Sequence, residues 1–595
     1  MAGSAGASGS LGGRRLKFMD TNSQPHRLGL EDWSNPEVLI IGGGINGAGV
    51  FRDLVFQGVR TLLVTKGDFS EGATSAASRM IHGGLRYLEQ AEFRLVRESL
   101  AERNHLLVHS PHYVKPLKTT IPIFSWTGGL VEALLKALRL GCRTGRRGAL
   151  WVKLGLSFYD HYVRHQRLLP RHFFTSRMQA KKRLPQLAPG IVCTASYYDA
   201  WITHPERLCH ELILDAREAA SPDQALARNY VAATGFEGGA VTLRCEVTGS
   251  IVRVRPKLVI NATGAWIDEV NGKIGSPTSF IGGTKGSHLV LDHPELHRAL
   301  DGQILYENPD ARVCLVFPFH DKVIVGSTDL PIQFADEAVC DDEEVDYILD
   351  SARQILPGFT FERSQIVSRF CGVRPLPRSD AATTGQVSRD HSCRVLDPAG
   401  DRSFPIYSLI GGKWTTFRAF AEQVTDRSLE YLGKKRTRLT KEEFIGGGRD
   451  FPKETPHLEQ WLRRVEASSG VPGDRLQVLL ARYGTRAEGL ATFLGYDKDS
   501  PLLSLPSFSR REISWISLNE DIVHLDDLLL RSTSLALLGK LNSASLHEIA
   551  EIVAETLGWD ETRRDAAIAH SKKQLARNYG INFTEPTINA KPSHV

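Results

Sequence analysis

The sequence lacks the features that mark several classes of protein. No stretch of its 595 residues approaches the roughly 20 apolar residues of a transmembrane helix. Its eight cysteines are scattered without C-x-x-C pairs, which argues against a zinc site and suits reduced thiols in a cytosolic compartment. The net charge of +5 is mild, and no signature of nucleic-acid binding accompanies it. We therefore predict no bound metal and no nucleic-acid partner.

The first 35 residues differ from the rest of the chain. They are rich in Gly, Ala and Ser, carry Arg14, Arg15 and Lys17, and lack the apolar region of a secretory signal. We predict a disordered tail at 1–35, with a weak organellar presequence as the alternative. The remaining residues are too many for one hydrophobic core, so two or three domains are expected.

A glycine-rich turn follows the first apolar segment. Val38 to Ile41 predict a short buried strand, and the residues from 45 onwards continue at helical spacing. The turn between them has the G-x-G-x-x-G spacing of a dinucleotide site, in which the glycines permit a tight turn, backbone approach to a pyrophosphate and helix packing on the strand. The predicted cofactor-binding residues of this turn are Gly42, Gly44, Asn46 and Gly47.

Two further segments decide which dinucleotide is expected. Residues 259–266 form a strand that ends in Ala-Thr-Gly, which resembles the second FAD fingerprint of two-domain flavoproteins and adds Gly264 to the predicted site. The strand after the glycine turn should end in Asp or Glu, which hydrogen-bonds the ribose hydroxyls. Thr65 stands there instead. We predict FAD rather than NAD, with the adenosine end held less tightly.

The run from 67 to 89 is the most informative part of the sequence. Its small residues permit close backbone approach to a flat ligand, and Gly83 and Gly84 allow a sharp turn beside His82. Arg86 and Tyr87 follow on the same turn. The cofactor contacts predicted in this run come from Ser75, Ser78, Gly83 and Gly84.

The glycine turn at 41–49 and the run S-R-M-I-H-G-G-L-R-Y-L-E at 78–89 resemble the FAD-dependent glycerol-3-phosphate dehydrogenase family. The resemblance implies an α/β two-domain flavoprotein, with a Rossmann-type FAD domain, an antiparallel-sheet substrate domain and a C-terminal α-helical cap. The implied boundaries are a discontinuous FAD domain within 36–440 (about 36–110, 190–275 and 365–430), a substrate domain (about 111–189 and 276–364), a linker at 441–456, a helical domain at 457–580 and a tail at 581–595.

Later segments add charged residues to the site that the resemblance implies. Lys285 and His288 lie in K-G-S-H, Arg374 precedes a rigidifying proline, and Arg389 follows in S-R-D. At 407–418 a strand, a glycine turn and a helix start place backbone N–H groups beside the pyrimidine end of the flavin. This last turn contributes Gly412, Lys413 and Thr415.

These residue types match the needs of alcohol oxidation by a flavin. Arg86, Tyr87 and Arg389 are predicted to bind a substrate phosphate, to which we add Lys285. Arg374 and Lys413 are predicted to polarise the reacting oxygen. His82 is the predicted base, with His288 or water as alternatives, or a role for His82 in orienting the flavin ring.

The family resemblance also implies a place and an acceptor. Leucines at helical spacing within 130–140, with basic residues and flanking tryptophans, suit either a membrane-interface helix or a core helix with a basic outer face. The implied protein is cytoplasmic, peripherally associated with the inner membrane, passes electrons to a quinone and is possibly a homodimer.

Three alternatives stay open at this point. The first keeps the flavin chemistry but acts on another polyol phosphate, such as erythritol phosphate, or on an amine. The second is an oxidase that uses oxygen as the acceptor. The third is a flavin-free binding or regulatory protein, supported by Thr65 and by Pro205 and Glu206, which replace the Asp-Ala pair usual in the family that this chain resembles.

Overall fold

The protein is described here from a computed structural model. The structure describes residues 29–88, 92–128, 148–164, 167–310, 312–379 and 389–583, without the side chains of Arg86 and Leu88. The leucine-rich segment at 130–140 lies outside these residues, as do most of the two predicted tails. Among the described residues, no helix is both long enough and apolar enough to cross a membrane.

The elements alternate through the first 430 residues, and helices follow. The helices are α1 (Ile45–Phe56), α2 (Phe93–His109), α3 (Ala149–Tyr162), α4 (Arg177–Arg183), α5 (Pro205–Ala219), α6 (Ile267–Lys273), α7 (Pro294–Ala299), α8 (Asp342–Ile355), α9 (Phe417–Tyr431), α10 (Thr455–Ser469), α11 (Gly473–Tyr483), α12 (Ala487–Gly495), α13 (Arg510–Asn519), α14 (Ser543–Leu557) and α15 (Glu561–Tyr579). The strands are β1 (Val38–Ile41), β2 (Thr61–Val64), β3 (Met80–Ile81), β4 (Val114–Ile123), β5 (Phe173–Ser176), β6 (Cys193–Ile202), β7 (Ala225–Arg228), β8 (Val231–Glu237), β9 (Ala240–Cys245), β10 (Ile251–Val254), β11 (Leu258–Asn261), β12 (Thr284–Leu291), β13 (Gln303–Glu307), β14 (Val313–Phe319), β15 (Lys322–Gly326), β16 (Leu330–Pro331), β17 (Ile366–Arg374), β18 (Ser392–Leu396) and β19 (Ile406–Ile410).

A six-stranded sheet carries the glycine turn. Its strand order is β18-β19-β11-β1-β2-β7, and only β18 runs antiparallel to its neighbour. Strand β1 lies between β11 and β2, and all four of its residues are buried, which explains why it reads as a continuous apolar run. Helices α5 and α9 pack against α1, so the turn after β1 sits at the carboxyl edge of a covered parallel sheet. This is the edge at which such sheets bind ligands.

A second, larger sheet has ten strands. The path runs β16-β12-β15-β14-β13-β4-β6-β3, with β17 paired to β12 and β5 paired to β6. Most of its pairs are antiparallel, as predicted for a substrate domain. A small sheet of β10, β9 and β8 completes the α/β part.

The larger sheet draws strands from segments that the predicted boundaries assign to the FAD domain. Strand β6 pairs with β4 along ten residues, and β17 pairs with β12 from Thr284 to Leu291. Residues 193–202 and 366–374 therefore belong to the substrate sheet. Each strand lies directly beside a segment of the predicted FAD domain in the sequence, and only its pairing partner decides its sheet, so the domain boundaries remain a prediction.

The predicted linker is packed rather than loose. The Gly446 amide donates to Asp215, and a Cβ built on Gly447 would lie 2.1 Å from the Tyr483 carbonyl oxygen. Helices α10 to α15 follow it and enclose two apolar clusters. A buried ion pair between Arg207 and Glu520 (2.8 Å) ties this helical domain to α5.

Candidate functional site

The glycine turn after β1 is built by backbone contacts. Gly42 has φ +111°, and a Cβ on it would lie 2.6 Å from the Ala262 carbonyl oxygen on the neighbouring β11 turn. A Cβ on Gly47 would lie 1.9 Å from the Gly42 carbonyl oxygen. Both distances are far below van der Waals contact, so each position admits only glycine. The turn therefore has the tight entry and the close helix packing expected of a dinucleotide motif.

The last predicted turn meets the first one. Gly411 and Gly412 both have positive φ, at +70° and +94°, and lead from β19 towards α9. A Cβ on Gly412 would lie 3.2 Å from the Asn46 amide nitrogen in the first turn of α1. Two segments more than 360 residues apart in the sequence thus share one edge of the six-stranded sheet.

Lys413 extends from this turn to the His82 segment. Its Nζ donates to the His82 carbonyl oxygen (3.2 Å) and to Ser99 Oγ (2.9 Å), and it lies 4.6 Å from the centre of the Tyr87 ring. The His82 amide in turn donates to Thr415 Oγ1 (3.3 Å). The structure therefore brings His82, Tyr87, Lys413 and Thr415 together, all of them predicted site residues.

Two arginines join the same cluster through one carboxylate. Arg374 Nη1 donates to Asp329 Oδ1 (2.9 Å), and Arg389 Nη2 lies 4.0 Å from Asp329 Oδ2. The Arg374 and Arg389 side chains stay 24% and 29% exposed, so both guanidinium groups reach the surface of the site. Asp329 offsets part of their charge and leaves the cluster cationic. Arg86 lies on the adjoining turn, but its side chain is outside the described part of the structure.

Burial and mutual repulsion shift the acid–base properties of these groups. Desolvation lowers the pKa of Lys413 to about 7, with Arg389 lowering it further and Asp199 opposing them. Desolvation, Lys413 and Arg389 hold the pKa of His82 well below its ordinary value. Desolvation also lowers the pKa of Arg374. Near neutral pH the His82 imidazole is consequently neutral and able to accept a proton.

The two predicted residues of strand β12, Lys285 and His288, lie on opposite faces of the sheet. Gly286 and His288 face Arg374 and Ser78: a Cβ on Gly286 would meet the Arg374 guanidinium, and Ser78 Oγ lies 3.0 Å from His288 Nε2. Lys285 points the other way, towards α8, where its Nζ is 2.7 Å from Asp341 and 2.8 Å from Glu344. The structure does not bring Lys285 to the cationic cluster, because neighbouring strand residues alternate between faces.

The other predicted cofactor residues lie along the glycine turns and the run that follows them. Gly264 has φ +62°, and a Cβ there would have no neighbour within 4 Å. Thr65 lies at the end of β2 beside Gly43, where a Cβ on Gly43 would be 3.0 Å from its methyl carbon. Ser75 Oγ donates to the Gly72 carbonyl oxygen, which shapes the loop between β2 and β3.

Several residues of the site were not predicted from the sequence. Asp329 links the two arginines, and Ser99 accepts from Lys413. Glu206, part of the altered segment, forms a buried ion pair with Arg79 (2.7 Å) three residues before His82. The sequence signal for Ser99 and Asp329 was weak, since a lone serine on a helix and an aspartate after a strand have many ordinary roles.

Comparison with known proteins decides the family. Residues 37–426 match the model of the FAD-dependent oxidoreductase family, and residues 438–564 match the C-terminal domain of alpha-glycerophosphate oxidase. A glycerol-3-phosphate dehydrogenase of Synechocystis sp. is 31% identical over 91% of this chain and 96% of its own length. The chain belongs to the FAD-dependent glycerol-3-phosphate dehydrogenase family.

Other relatives match over a similarly large share of this chain. The mitochondrial glycerol-3-phosphate dehydrogenase of Homo sapiens is 28% identical over 93% of this chain and 75% of its own length. A solved glycerol-3-phosphate dehydrogenase from Bacillus halodurans, complexed with FAD, superposes with a TM-score of 0.69 over 95% of this chain and 98% of its own at 20% identity. The predicted α/β flavoprotein fold with a C-terminal helical domain is thereby confirmed, and so is FAD as the cofactor.

The residues present fit FAD in this FAD-dependent dehydrogenase. Helix α1 begins after Gly44; the Ile45 N–H donates to Thr74 Oγ1, and the other N–H groups of the first turn and its partial positive charge are directed outwards. Asn46 Oδ1 is buried without a hydrogen-bond partner, and so is Trp414 Nε1 after the Gly411–Gly412 turn. Buried polar atoms are normally paired, so these two mark positions at which a bound nucleotide would supply partners.

Proposed function

We propose that this enzyme oxidises sn-glycerol 3-phosphate to dihydroxyacetone phosphate and passes the electrons to a quinone. FAD, when bound, supplies the hydride acceptor at its N5. The observation that carries the proposal is the convergence of Lys413 and Arg389 on a neutral His82, with Arg374 joined to Arg389 through Asp329. A phosphorylated alcohol needs this combination of cations and a proton acceptor.

The arginines are suited to hold the phosphate. A guanidinium presents paired N–H donors that match phosphate oxygens, and the exposed fractions of Arg374 and Arg389 leave donors free to reach a ligand. We assign Arg389, with Tyr87 and Arg86 on the adjoining turn, to the phosphate. Arg374 is joined to Arg389 through Asp329 and keeps its predicted role at the reacting oxygen. Lys285 is not assigned to the phosphate, because it pairs with Asp341 and Glu344 on the opposite face of the sheet.

The histidine and the lysine are suited to the proton transfer. His82 is neutral near pH 7 and accepts the hydroxyl proton, while the Lys413 ammonium beside its carbonyl stabilises the developing negative charge on the oxygen. His288 is the weaker candidate for the base, because its Nε2 already has Ser78 Oγ as a partner at 3.0 Å.

An exposed apolar stripe supports the proposed membrane contact and the quinone acceptor. Leu150, Leu154 and Phe158 lie four residues apart on α3 and are 45–54% exposed, whereas Val152 and Leu156 on the opposite face are buried. Trp126 and Leu168 nearby are also more than half exposed. Such a stripe suits insertion into a lipid surface, where a quinone is available. It favours a quinone over oxygen as the acceptor.

The test is anaerobic mixing of the purified protein with glycerol 3-phosphate while the visible flavin band is recorded. Rapid bleaching is expected. If the flavin bleached only with erythritol phosphate or with an amine, that compound would be the substrate instead of glycerol 3-phosphate. Reoxidation by a short-chain quinone, at least about tenfold faster than by air, is expected for a dehydrogenase. The reverse preference would identify an oxidase.

The membrane contact is tested by flotation with anionic lipid vesicles. The wild type is expected to float with the vesicles, and Leu154→Glu is expected to remain in the soluble fraction because a charge replaces apolar surface. Val478→Glu, which changes a 39% exposed valine on α11, is the matched control. Equal flotation of all three proteins would remove α3 from the contact.

A further inference from the structure

The peptide group between His82 and Gly83 is held at both of its ends. Its carbonyl oxygen, on His82, accepts from Lys413 Nζ at 3.2 Å. Its N–H, on Gly83, donates to the Tyr159 hydroxyl oxygen at 2.8 Å. Because a peptide group is planar and rigid, a contact at the N–H sets the direction of the carbonyl on the other side. Tyr159 and Lys413 are therefore coupled through one plane of atoms.

Tyr159 is itself held in place. Its side chain is buried on the inner face of α3, and its hydroxyl donates to Asp199 Oδ1 at 2.5 Å. Asp199 forms a buried ion pair with Arg103 at 2.8 Å. A tyrosine hydroxyl has a single proton, so with that proton directed to Asp199 its lone pairs face the Gly83 amide. The hydrogen-bonded chain Arg103–Asp199–Tyr159 thus ends on the peptide group beside His82.

Tyr159 approaches this peptide so closely that a side chain on Gly83 would displace Tyr159 or Leu100. A Cβ on Gly83 would lie 2.6 Å from the Tyr159 hydroxyl oxygen and 2.5 Å from a Leu100 methyl carbon. A glycine after His82 consequently lets the Tyr159 hydroxyl reach the backbone N–H. Neither Tyr159 nor Asp199 was predicted from the sequence as part of the site.

We propose that Tyr159 is a positioning residue for the oxidation, which holds the His82–Gly83 peptide so that the His82 carbonyl fixes the Lys413 ammonium beside the reacting oxygen. This inference rests on the proposed function. Tyr159 acts through the backbone, so its hydroxyl is needed for the rate of the chemical step and not for binding the substrate phosphate.

The test compares Tyr159→Phe with Tyr197→Phe. Tyr197 packs edge-on against Tyr159 with ring centres 5.8 Å apart, and its hydroxyl bonds Thr119 instead of the glycine turn. Each variant thus loses one buried tyrosine hydroxyl from the same cluster. Thermal unfolding of both variants confirms that they fold.

Hydrogen exchange measured by mass spectrometry on peptides spanning residues 80–88 reports the contact directly. In Tyr159→Phe the Gly83 amide is expected to exchange at least about tenfold faster, since it loses its nearer acceptor at 2.8 Å and keeps only Asp199 Oδ1 at 3.5 Å. Tyr197→Phe is expected to match the wild type there. This measurement needs no substrate, so its outcome is separate from the success of the proposed function. Unchanged exchange in Tyr159→Phe would overturn the proposal.

Anaerobic flavin reduction by glycerol 3-phosphate reports the effect on chemistry. In Tyr159→Phe the limiting rate is expected to fall about tenfold, as for the loss of one aligned hydrogen bond, with the substrate concentration for half-maximal rate changed less than about twofold. A faster-exchanging Gly83 with an unchanged rate would show that the hydroxyl is merely structural. A wild type that glycerol 3-phosphate does not bleach would instead reject the proposed function.

A second variant, Asp199→Asn, tests the same chain of hydrogen bonds if Tyr159→Phe folds poorly. Asp199→Asn keeps the size of the side chain but removes a charge that favours the protonated Lys413. The other groups acting on Lys413 are Arg389, Glu92, Glu98 and the adjoining His82, and they remain. The alkaline fall of kcat/KM is expected to move to lower pH. An unchanged pH profile with wild-type flavin reduction would overturn the chain of contacts.

Discussion

The glycine turn after β1 and the cationic cluster around Lys413 are built in opposite ways. The turn is made by six consecutive residues whose contacts are between backbone atoms, as between Gly47 and the Gly42 carbonyl. The cluster is made by side chains that lie far apart in the sequence, as with Lys413 and the His82 carbonyl, 331 residues away. A local motif carries its own geometry. A distributed cluster depends on every sheet and helix that brings its members together.

The largest effect on FAD binding and stability is expected from a change in the local glycine turn. Gly47→Ala places a methyl group 1.9 Å from the Gly42 carbonyl oxygen, and neither backbone atom can move without opening the turn. We expect loss of nearly all bound FAD and a cost of about 3 kcal/mol in unfolding free energy. The measurement is the ratio of flavin to protein absorbance after purification, with the melting temperature.

Gly272→Ala is the control for that experiment. Gly272 lies in α6, and an added Cβ would meet no atom within 4 Å. It is expected to keep a full complement of FAD. Normal flavin content in Gly47→Ala would show that the turn tolerates a side chain and that its close contacts do not select glycine.

A single change in the cluster is expected to have a smaller and more selective effect. Arg389→Ala removes one charged donor from the proposed phosphate site, which corresponds to about 1.5–3 kcal/mol and raises the KM for glycerol 3-phosphate about ten- to hundredfold. FAD content is expected to stay normal. Arg394→Ala, on the exposed edge strand β18, is the matched control. A KM that does not change would remove Arg389 from the phosphate site.

The pH dependence sharpens the assignment of Lys413. Its pKa of about 7 means that the amine is protonated below pH 7 and loses its charge above it. If the ammonium is the acting form, kcat/KM falls about tenfold for each pH unit above 7, because kcat/KM reports ionisations of the free enzyme. Lys413→Arg keeps the charge at all these pH values and is expected to lack this bend. A rate that rises through pH 7 would make the neutral amine the acting form.

The smallest effect on activity is expected at Lys285. It lies one residue from Gly286 but on the other face of β12, paired with Asp341 and Glu344. Lys285→Ala is expected to change the KM less than about twofold, while the buried Glu344 loses a partner and the unfolding free energy falls by about 1–3 kcal/mol. Chemical denaturation and steady-state kinetics measure the two effects. A large rise in KM without loss of stability would return Lys285 to the phosphate site.

Much of the fold and part of the site were predictable from the sequence. The strand–turn–helix at 38–56 and the helical C-terminal region were recognised because periodicity and glycine spacing are local properties. The sheet to which β6 and β17 belong could not be read from the sequence, because a strand does not encode its partner. Asp329 was missed for a similar reason, since its two arginines come from other segments.

The sequence by itself determined the cofactor motif, because the turn at 42–47 needs only backbone geometry that glycine permits. The sequence also predicted four site residues from separate segments, namely His82, Arg374, Arg389 and Lys413. Only the tertiary structure decided which of these share a site and that Lys285 does not. The physical reason is the two-residue alternation of β12, by which neighbouring residues face opposite sides of the sheet. Tyr159 depends on the tertiary structure in another way, because its contact with Gly83 exists only once α3 has packed against β6.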